Sequence, residues 1–360
     1  MRVVVLAGGA GTGLRPVTGG KPKVLLKVCG ESVIEIVLKN LIAAGARKVT
    51  LVSDRPEEFE DVTVRYGSVL EFEVRRQSSE GIVGALLEAK DEVSSGALLV
   101  YGDTLTDWRA YEITYVAGVD SGRPALLVVP EEDVRLYGAV LVDAGGIVSK
   151  FIESPRKAIE GAYAFGGIAV LNKELVNLIE RLGSIEDAIN EYVSSGGEIR
   201  TALWGDWWVD IGYPVNLLEA TYYLMRTWSS SRISSRARIA PTAVIEGPVV
   251  IEDGAVVDHY AVIKGPAYIG RGCLVGTHTF IRPFTDVEEL STIGSYSEIV
   301  WSLIGEGATI GRNVFLGYSV VGEGGIVEPG VTTKLLTKPE EAGIKAIKVV
   351  RRRREIYKIG

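Results

Sequence analysis

From Ile239 onward an aliphatic residue returns at every sixth position: Ile239, Ile245, Ile251, Val257, Ile263, Ile269, Val275, Ile281, Val287, Ile293 and Ile299. Four residues after each as far as Ile293, the side chain is small, as at Ala243, Ala255, Ala261, Ala267, Cys273, Thr279, Thr285, Ser291 and Ser297, with Val249 the one larger exception. A helix repeats about every 3.6 residues and a strand about every two, so neither produces this spacing. A triangular coil does, because each six-residue repeat supplies one short strand and one turn. The aliphatic residues then stack inside and the small ones fit the tight corners. The pattern predicts a left-handed parallel β-helix. After Ile299 the phase slips by one and resumes at Ile304, Ile310 and Leu316. Cys273 falls on a small interior position, which makes it a packing residue.

Residues 1–228 read differently. Apolar runs alternate with helical spacing: 48–53 and 97–101 read as strands, 32–44 and 83–93 as helices. That alternation predicts an α/β domain with a Rossmann-like, mostly parallel sheet. The serine-rich stretch 229–235 reads as a linker. The expected organisation is therefore an α/β domain at 1–228, the linker, a coil at 236–334 and a tail at 335–360. A chain of 360 residues ordinarily makes two domains.

Composition narrows the function. A net charge of −7 argues against nucleic acid as the main partner, and the basic run 351–354 reads as a solvated tail face. No apolar stretch approaches membrane-spanning length and the N-terminus enters a strand directly, so a cytoplasmic protein with no membrane partner is expected. Cys29 and Cys273 are too few and too far apart for a disulfide framework or a metal cluster. One glutamine, and few Cys, Met and His, suit a thermophile.

The chemistry gathers first in residues 3–23. An apolar run from Val3 to Leu6 breaks into Gly8, Gly9, Gly11 and Gly13, followed by Arg15, Lys21 and Lys23. Glycines let a backbone approach a ligand and turn its N–H groups outward, a concavity suited to phosphates. A Walker loop is excluded because Leu14 and Arg15 follow Gly13 in place of Lys-Ser/Thr. The dinucleotide fingerprint is excluded because its third glycine would fall on Leu14 or Pro16.

The stretch resembles the opening of the sugar-1-phosphate nucleotidylyltransferases, L-A-x-G-x-G-T-R-L-x-P followed by P-K. Leu6, Ala7, Gly9, Gly11, Thr12, Leu14, Pro16, Pro22 and Lys23 stand in matching places, while Gly13 replaces the family's arginine. Further matches follow. Gln77 and Gly81 resemble Q-x-x-x-G-T, with Ile82 for the threonine; Tyr101-Gly102-Asp103 and Trp208-Val209-Asp210-Ile211-Gly212 resemble the two metal motifs. Tyr137-Gly138 and Phe151-Ile152-Glu153 resemble the sugar side, where Ser154 replaces a lysine. Gly166-Gly167-Ile168 matches N-x-G-I in part, with Phe165 for the asparagine, and Arg156 or Lys157 is the candidate for the missing charge.

The resemblance implies attack of a sugar-1-phosphate on a nucleoside triphosphate with release of pyrophosphate. Asp103 and Asp210 would hold Mg²⁺, and Lys23, with Arg15, would meet the phosphates. Leu6, Ala7, Gly8, Gly9, Gly11, Thr12, Gly13, Gln77 and Gly81 would bind the nucleotide. Tyr137, Gly138, Glu153 and Gly167 would bind the sugar. The implied substrates are UTP or dTTP with glucose-1-phosphate or N-acetylglucosamine-1-phosphate; GTP with mannose-1-phosphate is an alternative. A second reading, supported by the changes at Gly13, Ile82, Ser154 and Phe165, is a weakened, nucleotide-sugar-binding regulatory subunit.

The order of the two parts is similar to bifunctional N-acetylglucosamine-1-phosphate uridylyltransferases joined to a glucosamine-1-phosphate acetyltransferase. Phe280-Ile281-Arg282-Pro283 matches their Y-I-R-P segment, but Arg312 occupies the place of their catalytic histidine. Arginine stays charged and cannot be a general base near neutral pH. His278 is the other candidate base, and a coil-corner histidine ordinarily belongs to the surface. The coil is expected to serve assembly, as a homotrimer.

Overall fold

The computed structural model describes residues 1–9, 11–333, 348–350 and 356–358, with the backbone alone at 15, 16 and the last two segments. Chain contacts divide it into two compact units, Met1–Ala10 with Ile34–Asp210, and Gly11–Val33 with Ile211–Gly360. This grouping follows packing, whereas the sequence division at 228 follows the change of pattern. No described helix is long and apolar enough to cross a membrane.

The first unit is built on a nine-stranded mixed sheet. Arg2–Leu6 lies at its centre, because Val3, Val4 and Val5 are apolar on both faces and fully buried. It pairs in parallel with Lys48–Ser53 on one side and Ser95–Tyr101 on the other, and Glu71–Arg76 extends the parallel half. Beyond Ser95–Tyr101 the sheet turns antiparallel through Tyr163–Asn172, Gly138–Val142 and Val148–Glu153. The chain diverges to either side of Arg2–Leu6, and the carboxyl ends of strands at such a switch point are where ligands bind in open α/β sheets.

The expected helix at 32–44 is present as Val33–Ala43. The one at 83–93 is broken into Gly81–Leu87 and Lys90–Ser94. The break has a polar use. The Glu88 carbonyl accepts a hydrogen bond from the Arg75 guanidinium at 3.1 Å, and Glu92 holds the same guanidinium.

The second unit contains the left-handed parallel β-helix. Val250 pairs with Tyr268 and Tyr268 with Asp286, eighteen residues per turn, on one of three stacked faces. Ile251, Ile263, Ile269, Val275, Ile281, Val287, Ile293 and Ile299 are buried inside it. The small residues are interior as well, and their hydroxyls bond to the next turn: Ser291 Oγ donates to the Gly305 carbonyl at 2.8 Å and Ser297 Oγ to that of Gly311 at 2.9 Å. The corners themselves are turned by residues with left-handed φ, among them Tyr260, His278, Tyr296 and Asn313. The phase slip is one short corner. Asp286 pairs with Leu303, seventeen residues on, because the corner at Trp301, φ 46°, has one residue fewer than that at Phe284.

One face of the coil is covered by Gly11–Val33 and the helix Pro214–Met225, which belong to the same unit. The outward positions there, Val250, Tyr268, Asp286, Leu303 and Val320, are accordingly buried. Of the expected tail, Lys348–Val350 adds a strand parallel to Ser319–Val321 and pairs with Ile356–Lys358, while the basic run 351–354 lies outside the described residues.

Candidate functional site

Four strand ends of the first unit converge on a cavity of about 210 Å³. Ser95–Tyr101 delivers Asp103. The two-stranded pairing of Thr104–Thr106 with Trp208–Asp210, in which Asp210 faces Thr104, brings the second aspartate to the first. The antiparallel pairing of Glu153 with Gly138 sets the two sugar motifs side by side. Tyr163–Asn172 carries a bulge between Phe165 and Ala169. Gly167 lies in it with φ 71°, and a Cβ there would fall 2.5 Å from Thr104 Oγ1, so only glycine fits.

Asp103, Asp210, Tyr137, Gly138, Glu153 and Gly167 thus line one cavity. Its described lining includes three carboxylates. Neither Arg156 nor Lys157 lines it; both are exposed on the chain beyond Ser154. The field is visible at Tyr101: burial, and then Glu153, Asp103 and Asp210, push its hydroxyl well above the ordinary range. No described group of three or more His, Cys, Asp or Glu is arranged to hold a metal. Two carboxylates facing an open cavity still fit Mg²⁺, which takes one or two carboxylates and completes its shell with water and phosphate oxygens.

The rest of the lining is aromatic. Phe165 packs edge-on against Tyr101 and Phe151, with centroids 5.6 and 5.9 Å away, and Tyr137 meets Trp208 at 4.9 Å. Trp208 is fixed by its indole N–H, which donates to the Gly166 carbonyl at 3.1 Å. Sequence reasoning passed over Tyr101, Phe151 and Trp208 as site residues although each stands inside a quoted motif. Leu136 and Ile185 carry no such signal.

At the nucleotide motifs, Leu6 and Ala7 end the central strand and are buried. Gly8 touches Gln77: a Cβ would fall 2.2 Å from Gln77 Oε1. The Gln77 amide nitrogen donates to the carbonyls of Ser79 and Gly81 at 2.6 and 2.9 Å, so its donor side is engaged within its own loop. Gly9 and Gly81 have φ of 129° and 85°.

Gly11, Thr12, Gly13 and Lys23 belong to the second unit. The Lys23 Cβ lies 3.4 Å from where a Gly11 Cβ would be, and Thr12 is exposed. A Cβ on Gly13 would fall 2.4 Å from the Gly212 carbonyl oxygen and 3.3 Å from the Tyr213 ring. The space an arginine needs at the start of its side chain is filled. The Arg15 side chain lies outside the described residues.

In the coil, Cys273 is buried, as a packing residue should be. The exposed His278 ring is stacked between Tyr260 and Tyr296, 4.9 and 5.0 Å away, and Arg312 is exposed.

Comparison with known proteins matches residues 2–227 to the nucleotidyl transferase family and residues 248–283 to bacterial transferase hexapeptide repeats. The chain is 27% identical over 331 residues to a bifunctional sugar-1-phosphate nucleotidylyltransferase/acetyltransferase of Sulfurisphaera tokodaii, covering 90% of this chain and 80% of that one. It is 28% identical to a UTP–glucose-1-phosphate uridylyltransferase of Haloferax volcanii (61% of this chain, 95% of the relative). It is 25% identical to mannose-1-phosphate guanylyltransferase 1 of Arabidopsis thaliana (94% and 99%). A solved structure assigned as a glucose-1-phosphate thymidylyltransferase of Bacillus anthracis shares the fold, with a TM-score of 0.55 at 23% identity over 64% of this chain and 98% of that one. The chain therefore belongs to the nucleotidyl transferase family, as an enzyme of the sugar-1-phosphate nucleotidylyltransferase type that carries a hexapeptide-repeat coil.

Proposed function

We propose that the protein catalyses Mg²⁺-dependent transfer of a nucleotidyl group from UTP or dTTP to glucose-1-phosphate or N-acetylglucosamine-1-phosphate. A phosphate oxygen of the sugar-1-phosphate bonds to the α-phosphorus, the bond from that phosphorus to the bridging oxygen breaks, and pyrophosphate leaves. The observation that carries this reading is the convergence of Asp103, Asp210 and Glu153 on one cavity. Three carboxylates oppose a bare triphosphate and suit one whose charge is neutralised. Asp103 and Asp210 would hold Mg²⁺, which supplies that neutralisation.

Glu153 accepts from sugar hydroxyls, with Tyr137, Gly138 and Gly167 shaping the sugar side. Gln77, Gly81 and the backbone of Leu6, Ala7, Gly8, Gly9, Gly11, Thr12 and Gly13 receive the nucleotide. Lys23, with Arg15, is assigned to neutralise the charge that builds on the leaving oxygens. Alignment and cations are what nucleotidyl transfer chiefly requires. Residues 1–228 carry this activity, and the coil assembles a homotrimer.

Gly13 favours a second reading. With the Gly212 carbonyl and Tyr213 occupying the space, the family's arginine has no place, which suits a nucleotide-sugar-binding subunit. Transfer from GTP to mannose-1-phosphate is the other substrate pairing, after the guanylyltransferase relative. The acetyltransferase in the Sulfurisphaera relative's name finds no base at Arg312.

Pyrophosphate release with Mg²⁺, across a grid of nucleoside triphosphates and hexose-1-phosphates and repeated hot, tests the reading beside Asp103→Asn. Turnover that requires one base and vanishes in the variant is expected. Nucleotide-sugar binding without turnover in any combination overturns the enzyme reading in favour of the binding subunit.

A further inference from the structure

Asp286 and Glu288 are charged residues that the reaction does not use, and both are almost completely buried, at 0% and 1% exposure. They project from the coil face covered by Gly11–Val33. Opposite them stands a hairpin of that segment, Lys27–Val28 paired with Glu31–Ser32. Its two turn residues, Cys29 and Gly30, both have left-handed φ, 56° and 83°, which aims their N–H groups the same way. The Cys29 N–H donates to Asp286 Oδ2 at 2.7 Å and the Gly30 N–H to Glu288 Oε1 at 2.9 Å. Gly30 is required, since a Cβ would fall 2.1 Å from the Tyr268 hydroxyl.

The other oxygen of each carboxyl, Asp286 Oδ1 and Glu288 Oε2, is buried with no hydrogen-bond partner among the described residues. Two neighbouring buried carboxylates, both ionised, would repel each other, and a proton shared between them removes the repulsion. Burial raises both, so the pair holds one proton between its two unpartnered oxygens. The surrounding charges do not supply a substitute. From the hairpin, Lys27 opposes the rise at Glu288, but its ammonium is bound by Glu289 and by Glu306 at 3.0 Å, and Glu288 stays raised. Lys21 is paired with Glu323 at 2.9 Å. The Cys29 thiol is pushed well up by burial and then by Asp286, Glu288 and Glu31, and so stays neutral. On the coil the Tyr268 hydroxyl is raised by burial and by the pair. The helix Pro214–Met225 presents Leu217 to the small cavity beside Glu288.

The hairpin is coupled by backbone bonds to Lys23. The Leu26 N–H donates to the Lys23 carbonyl at 3.1 Å, and the Val33 N–H to the Leu26 carbonyl at 2.9 Å.

We infer that Asp286 and Glu288 form a proton-sharing pair that holds the Cys29 and Gly30 turn on the coil and so positions the segment bearing Lys23, making nucleotidyl transfer dependent on the coil and on that proton. They are positioning residues, and the catalytic half rests on the function proposed above. The sign follows from the raised carboxyls. The pair's contribution is complete at pH values below the ordinary carboxylate range and is lost as pH rises through the upper titration of the folded pair.

The test combines two readouts on the full chain: the pH profile of pyrophosphate release, and amide-exchange protection factors at Cys29 and Gly30. For the wild type, kcat should fall tenfold per pH unit on an alkaline limb, with protection lost at the same midpoint. Glu288→Ala should lower kcat at least tenfold at pH 7 and lose the protection. Glu288→Gln, whose amide donates permanently where the acid donates its proton, should recover kcat to within threefold and abolish both transitions; Asp286→Asn should do likewise. An unaltered alkaline limb and exchange transition in Glu288→Gln overturns the inference, as does full protection in Glu288→Ala. If the wild type releases no pyrophosphate while the exchange transition is present and Glu288→Gln removes it, the clamp stands and the catalytic reading falls.

Discussion

Restoring the family's arginine at position 13 should harm this protein. The first atom added, Cβ, would lie 2.4 Å from the Gly212 carbonyl oxygen and 3.3 Å from two atoms of the Tyr213 ring. An ordinary carbon–oxygen contact lies nearer about 3.3 Å, so something must move by most of an ångström. The carbonyl is poorly placed to give way. Tyr213 opens the helix Pro214–Met225, and its N–H is held by Asn216 Oδ1 at 2.8 Å in a capping box. Overpacking of this kind costs about 1–3 kcal/mol. For domains of 150–250 residues that corresponds to a Tm lower by about 2–12 °C. Gly13→Ala should carry most of this loss, because the clash begins at Cβ, and Gly13→Arg should add little to it. Neither should raise kcat/KM for pyrophosphate release. Calorimetry and the release assay on both variants decide the point. A Gly13→Arg enzyme with unchanged Tm and a higher rate would refute the steric account and show that Gly13 is a simple loss of a catalytic cation.

Three further outcomes are expected from the first unit. Asp210→Asn should lower Mg²⁺-supported turnover by about 10² or more, the scale on which preorganised charges act at transferring groups, measured as kcat against Mg²⁺ concentration. Gly8→Ala should raise KM for the nucleotide with little change in kcat or Tm, because its Cβ would displace the Gln77 amide, the end of a flexible side chain 2.2 Å away; steady-state kinetics against the triphosphate reads this. Phe165→Asn should destabilise the unit by about 1–3 kcal/mol, since it removes edge-on contacts to Tyr101 and Phe151 from a half-buried site, and the denaturant midpoint reports it.

The readings that succeeded from sequence rest on local, repeated geometry. An aliphatic residue every sixth position can stack in only one way, so Ile251, Ile263 and Ile281 are interior without further information. The run from Val3 to Leu6 is apolar on both faces, and only a strand covered on both sides accepts that. Asp103 and Glu153 are legible because they sit in motifs at strand ends, where chain direction alone places them at the ligand side of the sheet.

Other features depend on which distant segments meet. The helix expected over 83–93 breaks where the Glu88 carbonyl accepts from Arg75, a partner on another strand. Arg156 and Lys157 are nearby in sequence to Glu153 yet stay outside the cavity lining, since the strand has ended and the chain has turned at Ser154, φ 45°.

By itself, the chain's order of residues determined an α/β unit, a coil, and the motifs that gather carboxylates at one cavity, because periodicity and strand direction are short-range properties. Tertiary structure decided the rest. On the coil, Asp286 and Glu288 flank the interior Val287 and so point outward. Only the docking of Gly11–Val33, more than two hundred residues earlier, buries them and makes their shared proton matter. Likewise Gly13 reads as a missing arginine until Gly212 and Tyr213 are seen to occupy its space. Burial and steric exclusion belong to pairs of segments, and no window of sequence contains both members of such a pair.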